Sequence, residues 1–170
     1  MSFRDTRAAG RSRDDVNEMG LEDDIAFFEQ VPTLAVLGKQ ALRVLAIGAE
    51  TRHLQSGAVL YYAGELADGG YIVLEGSLVI EPEGAQGREY MVGPGAMLGE
   101  LALLTETTSP VTAIAREPTV LIRISRGLFR KMLEGYPAAA LRLRDEMAGR
   151  VDSWTQDLAS VQTKLDRGKK

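Results

Sequence analysis

The chain has 170 residues, 45% hydrophobic and 26% charged, with a net charge of −4 and no cysteine. This length holds one domain with a substantial core plus accessory helices. The lack of cysteine excludes disulfides, thiolate catalysis, iron–sulfur clusters and cysteine-based zinc sites, and the acidic balance gives no overall footprint for nucleic acid. No apolar run approaches the roughly 20 residues of a membrane span. The start alternates charges where a signal peptide would be apolar. A cytoplasmic setting is expected.

Residues 1–20 set Arg4, Arg7, Arg11 and Arg13 against Asp5, Asp14, Asp15 and Glu18, with few apolar positions. They read as a mobile tail. Residues 21–48 have helical spacing. Ile25, Phe27 and Phe28 lie close to one face, and Pro32 interrupts the run. Leu34, Leu37, Ala41, Leu42, Leu45 and Ala46 then build a second apolar face up to Gly48.

From residue 49 the period changes to that of strands. Short β-like runs are expected at 51–54, 58–62, 71–74, 78–81, 89–92, 111–115 and 120–124, with glycines between them as turn residues. Many short strands at close spacing point to a barrel or jelly roll. His53, the single histidine, falls on an expected edge strand and reads as a surface or boundary residue. Without a second histidine or any cysteine, no catalytic or metal-ligating set emerges.

Residues 126–134 are expected to form a short helix with Ser125 as its N-cap. Leu128, Phe129, Met132 and Leu133 would face inward. Pro137 suits the first turn of the next helix, which runs over 138–165. From Met147 through Val151, Trp154, Leu158, Val161 and Leu165 the apolar steps are 4, 3, 4, 3 and 4. That is a heptad period, interrupted by Arg144, and it predicts a parallel coiled coil and hence a homodimer. Three units result: the tail 1–20, a strand-rich domain with flanking helices over 21–135, and the long helix 136–170.

Residues 93–115 organise the chain: Gly93-Pro94-Gly95, then Gly99-Glu100 leading the apolar Leu101-Ala102-Leu103-Leu104, a hydroxyl-rich loop, and a strand. A glycine before one turn of helix lets a ligand approach the backbone, and free N–H groups there favour an anion such as phosphate. Glu100 would repel phosphate at contact, so it suits a ribose hydroxyl. Phosphate and ribose side by side describe a nucleotide. An ordinary glycine-punctuated turn before a buried helical turn accounts for the same residues.

These residues resemble the phosphate-binding cassette of cyclic-nucleotide-binding domains, the effector domains of catabolite activators and of protein kinase A regulatory subunits. The resemblance extends over about 21–165. It also rests on Gly57, Gly64-Glu65, the run from Tyr71 to Leu78, Phe129 and Pro137. It implies an α+β fold: a β jelly-roll barrel (a double-stranded β-helix) with N-terminal helices and a long C-terminal dimerisation helix. It implies no enzyme, and a ligand such as cyclic AMP or cyclic GMP. The ligand would meet Gly99, Glu100, Leu101 and Ala102, then Ser109, Pro110 and Val111. Val73 and Leu74 would line the apolar side or belong to the core. Trp154 and Thr155 fall where family members touch the base, though Trp154 also fits the coiled-coil core.

One departure stands out. The family carries an arginine nine or ten residues after the cassette glutamate, as the charged half of its phosphate contact. Here Ser109 and Pro110 occupy that place. A charge-assisted hydrogen bond contributes roughly 1.5–3 kcal/mol, so its loss weakens binding about ten- to a hundredfold. Arg88, Arg116 and Arg123 are the alternative cations. About five residues follow the long helix, leaving no room for a winged helix-turn-helix, so direct DNA binding is not expected. Two functions follow as expectations: a stand-alone sensor that binds a cyclic nucleotide weakly and signals to a partner protein, or a dimeric interaction module that has lost its ligand.

Overall fold

A computed structural model describes residues 13–84 and 86–167, with side chains described except at 13–19, 161 and 164–167. Helix α1 (Arg13–Phe28) begins within the segment expected as a tail; residues 1–12 lie outside the described residues. Pro32 opens the short α2 (Pro32–Ala35), where a missing N–H costs nothing. Gly38, at φ 86°, then turns the chain into α3 (Lys39–Gly48).

Strands β1 (Glu50–Leu54), β2 (Val59–Tyr61), β3 (Leu66–Ala67), β4 (Gly69–Glu75), β5 (Leu78–Pro82), β6 (Tyr90–Val92) and β7 (Met97–Leu98) follow. Helix α4 (Glu100–Leu104) interrupts them before β8 (Thr107–Thr108), β9 (Val111–Ala115) and β10 (Thr119–Ser125). All the strand pairings are antiparallel, in the orders β1-β10-β4-β7, β2-β9-β5-β6 and β3-β8. The expected strands are therefore present with bounds moved by a residue or two. The two-residue β3, β7 and β8 are additions, too short to carry a periodic signal. His53 lies exposed on the edge strand β1.

Alternation along β4 and β10 divides the core in two. Val73 and Leu121 point into the space between the sheets, with Leu78, Ile80, Ala113 and Ala115. Ile72, Ile122 and Ile124 point the other way, against Phe28, Leu42 and Leu45 of the helices. Leu74 packs on that helical side, so Val73 and Leu74 serve opposite faces. Helix α5 (Arg126–Gly135) starts at Ser125, whose hydroxyl accepts the Leu128 N–H. It buries Phe129 and Met132 in the helical core. The single helix α6 (Pro137–Arg167) continues from it and buries Ala139 and Leu143. No described helix is long and apolar enough to cross a membrane.

A polar joint closes one end of the sandwich. The buried Thr119 hydroxyl lies 3.1 Å from the Ser77 carbonyl and 2.8 Å from that of Glu117, and it accepts the Ser77 N–H at 3.2 Å. Gly76 sits against it at φ 85°, where a Cβ would fall 2.5 Å from the Pro118 carbonyl oxygen. Only glycine fits there, for both conformation and space.

Tyr61 packs at the rim of the inter-sheet core, its ring 6.0 Å from that of Tyr71. Burial, aided by Tyr71 and Tyr90, pushes its phenol up to about 12. The unfolded phenol ionises near 10, so between about pH 10 and 12 the unfolded chain loses a proton that the folded chain keeps. Stability from this group is whole below pH 10 and lost as pH rises through that window. Thermal melting from neutral pH to pH 12 is expected to show a steep loss above pH 10, shallower in Tyr61→Phe.

Candidate functional site

Gly99 precedes α4 in the left-handed region, at φ 74° and ψ 32°. A Cβ there would also stand 3.0 Å from the Gly69 carbonyl oxygen, so the turn needs glycine for conformation and for its approach to β4. The turn makes Glu100 the first helical residue. Behind it Ala102 and Leu103 are buried, while Leu101 is 57% exposed.

The Glu100 carboxylate is shared by two other helices. The Thr33 hydroxyl, from α2, donates to Oε1. From α6, Arg150 donates through Nη1 to Oε2 at 3.4 Å, and through Nη2 to Thr33 Oγ1 at 3.4 Å. Arg150 also pairs with Glu146 through Nε, at 3.6 Å, one helical turn away. A second arginine ties the middle of α4. Arg126, at the start of α5, donates to the Ala102 carbonyl at 3.0 Å and to the Ala67 carbonyl at 2.7 Å. A third, Arg142 of α6, donates to the carbonyls of Val36 and Leu37 just after α2, at 2.7 and 2.6 Å. Side chains of α5 and α6 thus reach the cassette turn and the α2 corner, and a cavity of about 240 Å³ remains between them.

Ser109 stands where the family arginine would be. It is buried in the turn between β8 and β9, bonded through its own backbone. Its N–H donates to the Glu65 carbonyl at 2.8 Å, and its carbonyl accepts the Gly64 N–H at 2.7 Å. Pro110 is exposed, and Val111 begins β9 at the edge of the inter-sheet core. Arg123 is held by Asp68 at 2.6 Å and Glu50 at 3.4 Å. Burial alone would lower its pKa, but Asp68 and Tyr71 outweigh that and raise it. Arg116 lines a cleft with Glu81 and Glu89, and Arg88 is exposed.

Gly99, Glu100, Leu101 and Ala102 are therefore together at one turn, with Ser109, Pro110 and Val111 on the following β8–β9 segment. Trp154 and Thr155 are not joined to them within the chain. Trp154 is 74% exposed, and the Thr155 hydroxyl donates back to the Val151 carbonyl at 3.0 Å. Sequence reading missed Thr33 and Arg150. Arg150 did leave a signal, since it shares a helix face with Leu143 and Met147 at spacings of four and three. Thr33 left none: a lone threonine after a proline reads as loop.

The family model described as cyclic nucleotide-binding domain matches residues 51–136. A solved structure of a cyclic nucleotide-binding-like protein from Brucella abortus is 42% identical, with a TM-score of 0.60, covering 66% of this chain and 98% of that one. The N-terminal domain of a transcriptional regulator from Streptomyces coelicolor is similar in fold at 24% identity, with a TM-score of 0.70 over 78% of this chain and 94% of that one. Among curated relatives, lysophospholipase nte1 of Aspergillus terreus is 30% identical over 130 residues, which is 75% of this chain. The chain spans only 8% of that relative's length.

Proposed function

The chain belongs to the cyclic nucleotide-binding domain family, and we propose that it acts as a regulatory sensor. It takes a cyclic nucleotide, cyclic AMP or cyclic GMP, at the α4 turn and answers by moving α2 and α6 toward a partner protein. One observation carries this reading. Glu100, the carboxylate suited to a ribose hydroxyl, is also the residue that ties α4 to α2 and α6. A ligand that recruits Glu100 draws it away from Thr33 and Arg150, so binding and helix position become linked.

Magnitudes order the effects. A half-exposed ion pair such as Glu100–Arg150 contributes roughly 0.2–1 kcal/mol, so releasing it changes ligand affinity by at most about fivefold. The missing arginine costs about ten- to a hundredfold. The arginine therefore decides the affinity, and the Glu100 contacts decide the response. Isothermal titration with cyclic AMP and cyclic GMP is expected to show micromolar or weaker binding. Glu100→Ala should abolish it, and Arg150→Ala should tighten it by about two- to fivefold. Binding that survives Glu100→Ala contradicts the pose. Absence of heat at millimolar ligand favours the ligand-free module, the reading that the uncharged Ser109-Pro110 supports.

The proposal includes a homodimer. Met147, Val151, Trp154 and Leu158 keep the heptad steps along α6 and stand exposed on it; the heptad positions Val161 and Leu165 lie outside the described side chains. Such a stripe on one helix is the seam of a two-stranded coiled coil. Sedimentation equilibrium is expected to give a dimer that Trp154→Glu converts to monomer with the melting temperature of the barrel unchanged. A wild-type monomer at micromolar concentration removes this part of the proposal.

A further inference from the structure

The helical core rests on β4, β7 and β10 and takes no residue from β2, β5, β6 or β9. The outer face of the β2-β9-β5-β6 sheet is therefore turned away from the helices, and such a face is ordinarily polar. Here its central row is apolar. Register sets Val59 beside Ile114, Ile114 beside Val79, and Val79 beside Met91, one side chain from each strand. None of the four belongs to either buried cluster. Val59, Val79 and Ile114 are partly exposed, and Met91 is 60% exposed.

Charge changes sign across that row. Glu81 lies two residues beyond Val79 on β5, with Glu89 close by at the start of β6. On the antiparallel β9, the residue two beyond Ile114 runs the opposite way, and it is Arg116, whose N–H extends the ladder to the Ser77 carbonyl at 3.0 Å. Arg116, Glu81 and Glu89 line one cleft with Val79 and Ile114 as its apolar floor. Among the described residues none of the three forms an ion pair. Two steps of two residues each hold the acids and the base about 13 Å apart along the strands, so they do not meet within one chain.

A half-turn about the apolar row brings opposite charges together. It carries the acidic side of one copy over the basic side of another, and the two apolar rows meet on the axis. Each Arg116 then faces the other copy's Glu81, offset by one strand spacing of about 4.8 Å, within reach of an arginine side chain. The two sheets stack with their strands aligned, as packed sheets do, and the contact is self-complementary, as a two-fold interface requires. We propose that the outer face of β2-β9-β5-β6 is a self-association surface whose occupant is the same face of a second copy. It is separate from the α6 stripe and from Glu100, and it does not depend on whether the cassette takes a nucleotide. One row of four side chains flanked by charges is at the small end of specific interfaces, so the association is weak, half-complete at hundreds of micromolar rather than at about one micromolar.

Sedimentation equilibrium tests it on the full chain carrying Trp154→Glu, which removes any contribution from the α6 seam. Between about 10 μM and about 1 mM this protein is expected to pass from monomer to dimer. Arg116→Glu makes the charges of the face all acidic, and Glu81→Arg with Glu89→Arg makes them all basic. Added separately to that background, each is expected to weaken self-association at least tenfold. Mixed in equal amounts, the two variant proteins are expected to associate again, since each supplies the charge that the other lacks. A folding defect in either would not be repaired by mixing. A monomer over the whole range, which would leave the face to a different protein, overturns the proposal. So does self-association that survives in either variant alone, or a mixture that stays monomeric.

Discussion

Three segments far apart in sequence meet on one carboxylate. Glu100 is 67 residues from Thr33 and 50 from Arg150, and it bonds to both. The left-handed turn at Gly99 makes this possible by setting Glu100 as the first residue of α4, close against β4. A side chain at position 99 would be strained by its φ and would crowd the Gly69 carbonyl. The glycine, the carboxylate and the two helix contacts therefore form one unit.

The surrounding architecture supports that unit from both sides. The β1-β10-β4-β7 sheet is covered by the helical core on one face and the inter-sheet core on the other, so β4 is a firm base for the turn. Arg126 ties α4 to β3 through the carbonyls of Ala102 and Ala67, and Arg142 fixes the α2 corner to α6 through two more. By contrast, the Glu100–Arg150 pair is half-exposed and separated by 3.4 Å, which makes it the easier one to release. This contrast in strength is what a switch requires. On the proposed reading, Arg142 would keep α2 and α6 together while the weak pair changes partner.

Much of this was legible in the sequence. Strand alternation, glycine turns and the Ser125 cap located the elements because each has a short-range physical signature. The Gly99-Glu100 turn was legible for the same reason, as was the absence of a charge at Ser109. The roles of Thr33 and Arg150 were not, because they depend on α2 and α6 folding back onto α4, a tertiary fact that the helical spacing of Arg150 does not specify. Arg150 was hidden further by the heptad reading of α6, which drew attention to the exposed stripe from Met147 onward and away from the neighbouring position of Arg150. The segment before residue 21 went the other way. Its dispersed charges read as a tail, yet α1 begins at Arg13.

The central claim is that one carboxylate serves both the ligand and the flanking helices. Hydrogen exchange of the backbone amides, with and without saturating cyclic nucleotide, tests it most directly. The account predicts faster exchange in α2 and in α6 around Arg150 when ligand is bound, with β4 and β10 unchanged. Exchange in α2 and α6 that stays the same at full occupancy would contradict it, since the ligand would then have taken nothing from the helices.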